Sequence, residues 1–134
     1  MDQLNLVLRM ILGAVLIAAG IDKWSPILAP QQMLAPGLAF REAMSATGYF
    51  MEWVGSWEIL VGFLILHGAY LPLALILLAP LTLNFLAFHL FLDLPNLASA
   101  LIVFIVQIHL MLQNRKSYAL LLTSLRSRKI SSDA

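Results

Sequence analysis

Tyr49-Phe50-Met51-Glu52-Trp53-Val54-Gly55-Ser56-Trp57-Glu58-Ile59-Leu60-Val61-Gly62-Phe63-Leu64-Ile65-Leu66-His67 is the stretch on which the reading of this chain turns. Its length suits a hydrocarbon core of roughly 30 Å, which about 20 helical residues cross. Glu52 falls near its start, but Glu58 lies well inside. A carboxylate at bilayer depth costs a few kcal/mol or more unless it is paired, protonated or hydrated. Gly55, Glu58 and Gly62 recur at i, i+3 and i+7, so two small residues flank the carboxylate on one helical face and let a neighbouring helix come close. The segment reads as a membrane span organised around a buried polar group.

The rest of the chain repeats the pattern. With 61% hydrophobic and 11% charged residues, against about 25% charged in soluble domains, the chain cannot cover itself with polar surface. Apolar runs at 4–21, 71–92 and 97–112 join the one at 49–67. The predicted fold is therefore all-α, a transmembrane four-helix bundle over residues 1–116. The first run holds Arg9 and lacks a small-x-small cleavage site, so it reads as a retained span. On it Arg9, Gly13 and Gly20 fall near one face, which should look into the bundle. Pro72 suits the first turn of the third span, whereas Pro80 near its middle should kink it and free a carbonyl.

Residues 22–48 form the one long connection, broken by Pro26, Pro30 and Pro36. Within it, residues 38–46 could make a short amphipathic helix on the bilayer surface; the plainer expectation is a loop folded over the bundle mouth. Residues 117–134 place Tyr118, Leu121, Leu122 and Leu125 at helical spacing with Arg126, Arg128 and Lys129 behind them, a basic amphipathic tail suited to anionic lipid. An even number of spans puts both termini on one side, and the basic residues from Arg115 to Lys129 assign that side to the cytoplasm. Trp24, Trp53 and Trp57 then form an aromatic belt at the outer boundary, alongside the outer-interface charges Asp22, Lys23, Glu52 and Asp93.

Counting residues along each span gives the expected polar cluster. Glu58 lies roughly 12 Å below the outer interface, Asn84 at about the same depth, and Arg9 roughly 7 Å in from the cytoplasmic side. Two accounts stay open. Arg9 and Glu58 form a buried ion pair, or Glu58 bonds Asn84 and locks the bundle. Alternatively Glu58, Asn84 and His89, with Trp57 as a stacking surface, line a cavity for a quinone-like molecule, a proton or a small polar ligand reached through a gap widened at Pro80. His89 and Asp93, spaced i, i+4, suit a helix-end hydrogen bond rather than a metal site, because two ligands are too few. His67 and His109 read as interface residues.

Several classes find no support. There is no cysteine, hence no disulfide or thiolate chemistry. No basic face interleaved with aromatics suggests nucleic-acid binding, and no nucleophile elbow, phosphate loop, zinc-protease or dinucleotide motif occurs. No independent catalytic activity is expected.

With these pieces placed, the chain resembles the DoxX-like family of small four-helix membrane proteins. The resemblance rests on LRMILGAVLIAAGIDKW, on ATGYFMEWVGSWEILVGFLIL and on YLPLALILLAPLTLNFLAFHLFLDLPNL, with Arg9, Lys23, Glu58, Asn84 and His89 as the polar positions matching most plainly. It implies a multi-pass protein of the bacterial inner membrane, some relatives being attached to thiosulfate:quinone oxidoreductases or other redox assemblies. On that basis quinone is the one cofactor to consider, a membrane redox protein is the expected partner, and the function is a redox-associated subunit. A non-catalytic scaffold and a small-solute or proton pathway are the alternatives. Homo-oligomers are compatible with the glycine faces.

Overall fold

A computed structural model describes residues 2–29, 31–120 and 123. Among these the secondary structure is helical throughout: α1 (Gln3–Trp24), α2 (Ala35–Ala46), α3 (Phe50–His67), α4 (Leu71–Leu92), a 3-10 turn (Leu94–Asn96) and α5 (Leu97–Gln113). Four of these segments are long and apolar enough to cross a membrane, the last including the 3-10 turn. The spans of the sequence reading recur with ends displaced by no more than three residues. Residues 115–120 are also helical; most of the basic tail, 121, 122 and 124–134, lies outside the described residues.

The helix ends follow their chemistry. Gly68 stops α3 in the left-handed region at φ 80°, which a side chain would strain, while its N–H bonds Leu64 O at 3.0 Å. Pro72 sits in the first turn of α4, where its missing N–H leaves nothing unpaired. Pro80, by contrast, does not break α4 into two helices: the element is continuous through it and the proline ring faces outward.

The four long helices form a ring in the order α1, α3, α4, α5, with α1 against α3 as the most extensive seam and α1 against α5 the slightest. Leu12, Leu16, Val61, Ile65, Leu75, Leu78 and Leu110 fill the centre. Outward-facing leucine, isoleucine and phenylalanine on every long helix remain exposed, as expected of helices whose solvent is lipid.

Glycine sets the α1–α3 seam. A Cβ on Gly20 would lie 2.5 Å from Gly55 O and one on Gly55 2.6 Å from Gly20 O. The partner pair repeats this seven residues away: a Cβ on Gly13 would be 2.9 Å from Gly62 O and one on Gly62 2.8 Å from Gly13 O. The two backbones touch at two levels of an antiparallel pair, which fixes the register of α1 on α3.

Residues 35–46 form a full helix, so the connection is more ordered than the plain loop expectation. α2 rests on α4 and α3 at the end of the bundle bearing the α1–α2 connection, here called the loop end. Gly37 is buried there, a Cβ on it falling 3.2 Å from Leu92 O.

Candidate functional site

Glu58 is wholly buried and both its oxygens accept hydrogen bonds from Lys23 Nζ, at 2.9 and 2.7 Å. The third proton of the ammonium goes to Ala19 O at 3.3 Å. The charge also stands 6.0 Å from the centre of the Phe85 ring. All three donors of Lys23 are thus engaged, and a buried carboxylate has the paired, hydrogen-bonded environment it needs.

This corrects the expected partner. Lys23, expected among the interface charges, and Arg9, expected beneath Glu58, exchange roles through the glycine register. Gly13 opposite Gly62 puts Arg9 opposite Leu66, eight residues or roughly 12 Å along the helix from Glu58. Direction widens the gap, because side chains lean toward their own helix N-terminus. In an antiparallel pair, Lys23 and Glu58 lean toward one another, whereas Arg9 leans away. Its guanidinium lies over Gly68 at the end of α3, with Nε buried and without a hydrogen-bond partner.

Asn84 does not meet Glu58 either. Trp57 Nε1 reaches Leu77 O at 3.4 Å, which levels Glu58 with the residue near 76 and leaves Asn84 roughly 12 Å nearer the loop end. Equal counts from the helix ends would mean equal depth only if α3 and α4 began and ended in one plane, but α4 runs well past the start of α3. Trp57 belongs to the α3–α4 seam, stacked on Trp53 with ring centres 6.2 Å apart and planes 12° from parallel.

Asn84 and His89 instead open onto a cleft of about 490 Å³ at the loop end, between α1, α2, α3 and α4. Phe40, Phe50, Phe85 and Phe88 wall it, and Lys23, Asp22 and Arg41 complete its polar lining. The carboxylate of Glu58 is not part of that lining, and neither is Pro80, so the route through a proline-widened gap gives way to this cleft. Asp22 is turned to the backbone, its Oδ1 accepting from Ile27 N at 2.8 Å and Leu28 N at 2.7 Å. Since Lys23 has spent its donors on Glu58, the groups free to hydrogen-bond inside the cleft are Arg41, Asn84 and His89. No carboxylate among the described residues lies within ion-pair distance of Arg41.

A second carboxylate holds the cleft's cover. Asp93, fully buried, accepts from Leu34 N at 3.1 Å and from Asn96 Nδ2 at 2.8 Å, with His89 Nδ1 at 3.3 Å. Asn96 also donates to Gln32 O at 2.8 Å. The Asn96 hydrogen bond, then those of Leu34 and the nearby imidazole, keep the Asp93 carboxyl below its usual range against the opposing effect of burial. The α1–α2 connection is thereby fastened to the corner between α4 and α5. Glu52 stays half-exposed at the start of α3.

The other end of the bundle is closed by polar contacts the sequence reading had not joined. Asn5 Oδ1 and His109 Nε2 are 2.8 Å apart, Gln107 Nε2 donates to Leu75 O at 2.9 Å, and Tyr118 OH to Pro72 O at 3.3 Å. Asn5 and Gln107 are buried singletons in apolar runs, which was the available signal. Among the described residues no three histidine or acidic side chains converge as a metal site would require.

Four apolar helices in a ring, a fully buried carboxylate paired with a lysine and outward-facing hydrocarbon define a small multi-pass membrane protein. The DoxX family model matches residues 4–90, more than half of the chain, and the chain belongs to that family. No curated protein and no solved structure matches it.

Proposed function

We propose that this protein is a redox-associated membrane subunit whose loop-end cleft receives the head of a quinone, without catalysis of its own. One observation carries the reading: Arg41 and Asn84, which carry hydrogen-bond donors, line one aromatic-walled cleft together with the His89 ring. A quinone ring is flat and apolar with carbonyls that only accept, so stacking surfaces and donors are the complement it needs. Because Glu58 neutralises Lys23, the cleft can hold a neutral head near that lysine without solvating a bare ammonium. The bound quinone would supply electron-accepting chemistry; the chain's own groups bind and orient it. We further assign the protein to the bacterial inner membrane with both termini cytoplasmic, supported by the basic residues between Arg115 and Lys129.

Calorimetric titration of the protein in nanodiscs with a tailless dimethoxy-benzoquinone is the test. Binding should weaken about threefold to tenfold in each of Asn84→Ala and His89→Ala, the net scale of one hydrogen bond. Absence of binding to the unaltered protein would overturn the reading. The scaffold alternative is favoured by the tight closure of Lys23 on Glu58, and it predicts a partner protein retained in mild detergent with no quinone in the extract.

A further inference from the structure

The cleft does not end at its polar rim. Its lining descends α1 from Lys23 through Ala19 to Val15, and eight residues of helix carry it roughly 12 Å toward the middle of the span. Val15 is nevertheless 48% exposed, so no neighbouring helix closes the cleft at that depth. The reason is the uneven ring. α1 lies close on α3 through its glycines, but it touches α5 only slightly. The polar contact that ties α1 to α5, Asn5 with His109, is at the far end of both helices from the loop. Toward the loop end Val15 of α1 and Ser99 of α5 both border the cavity.

We propose that the seam between α1 and α5 is a lateral portal, through which the hydrocarbon tail of a membrane-dissolved ligand runs out into the bilayer while its head stays by Arg41, Asn84 and His89. This rests on the quinone-head reading above and adds the tail, and with it the ligand class: a lipid-soluble, long-tailed molecule that enters from within the membrane. The distribution of polarity along the cavity selects that occupant. Its ionisable and amide side chains are gathered at the loop end, whereas the side chains of Val15 and Ala19, deeper along α1, offer only carbon. An amphiphile then fits in one orientation, head toward the loop end and tail across the seam. The same continuity from polar pocket to exposed mid-span wall argues against a wholly water-soluble ligand, which would gain nothing from a cavity open to hydrocarbon.

The test compares two probes in nanodiscs, a quinone with a long prenyl tail and the same ring without a tail. Val15→Trp places an indole in the portal. Binding of the tailed probe should fall roughly tenfold or more, while the tailless ring binds as before. Ile11→Trp, one turn further from the loop on an exposed position outside the cavity, should leave both unchanged. Equal weakening of both probes by Val15→Trp, or no effect on either, overturns the portal. A tailed quinone carrying a diazirine at its tail end, applied to the unaltered protein, needs no substitution: labelling of α1 and α5 peptides supports the portal, and labelling confined to α2 or α3 overturns it. If neither probe binds the unaltered protein at all, the quinone-head reading itself falls.

Discussion

At the scale of single residues, Lys23 and Glu58 are the pair on which the bundle depends. Removing one partner of a buried ion pair leaves the other charge unmatched, which typically costs about 3–5 kcal/mol, whereas replacing both with apolar residues is often neutral. Lys23→Met should therefore lower the unfolding temperature in detergent far more than the double variant Lys23→Met/Glu58→Leu does; equal losses in the two would show that the pairing contributes little. Asp93 gives a pH prediction. Its folded-state pKa is lowered, first by Asn96 and then by the Leu34 amide and His89. The stabilisation it provides is complete above the ordinary carboxylate range and is lost as pH falls through the lowered folded value. Exchange of the Leu34 amide, corrected for its intrinsic pH dependence, should stay slow at pH 5 and quicken only in strong acid. Protection already lost at pH 5 would contradict this.

At the scale of elements, the seam of α1 on α3 is the part most sensitive to substitution. Gly20→Ala sets a methyl 2.5 Å from Gly55 O, and since backbone cannot swing aside as a side chain can, the helices must separate. Overpacking of this kind costs about 1–3 kcal/mol. The separation would also lengthen the Lys23–Glu58 contact one turn away, so Gly20→Ala should be worse than Gly37→Ala, where a Cβ would lie 3.2 Å from Leu92 O; thermal melts of the two variants give the ranking. Helices of this kind were legible in the sequence because apolar length and glycine spacing are local properties. The partner of Glu58 was in principle legible too. Gly-x6-Gly on both spans implies a register, and the N-terminal lean of side chains on antiparallel helices then favours Lys23 over Arg9. The overshoot of α4 past α3 accounts instead for Asn84, because equal counts from the helix ends are then not equal depths. The cleft was not legible, since it depends on α2 settling against α3 and α4 and on α1 touching α5 only slightly, neither of which leaves a periodic trace.

At the scale of the whole molecule, the absence of cysteine makes orientation directly measurable. Ser45→Cys on α2 and Gln113→Cys at the end of α5 are both at exposed positions. In intact cells an impermeant maleimide should label the first and spare the second until the membrane is opened. The reverse pattern would place the termini outside. The tail beyond residue 123 belongs to the same question, because Arg126, Arg128 and Lys129 are three of the five basic residues on which the assignment rests.

The closed contact of Lys23 with Glu58 also bears on how the chain enters the membrane. α3 is the least apolar of the four spans and contains the carboxylate. When it leaves the translocation channel, α1 is already in place, with Lys23 one residue from its end and able to stay in contact with the headgroups. Glu58 can then cross the bilayer interior as half of a salt bridge instead of as a bare anion. The expected consequence is an order of assembly: Lys23→Met should lower the fraction of chains in which α3 is inserted, measured by protease protection of the α3–α4 turn.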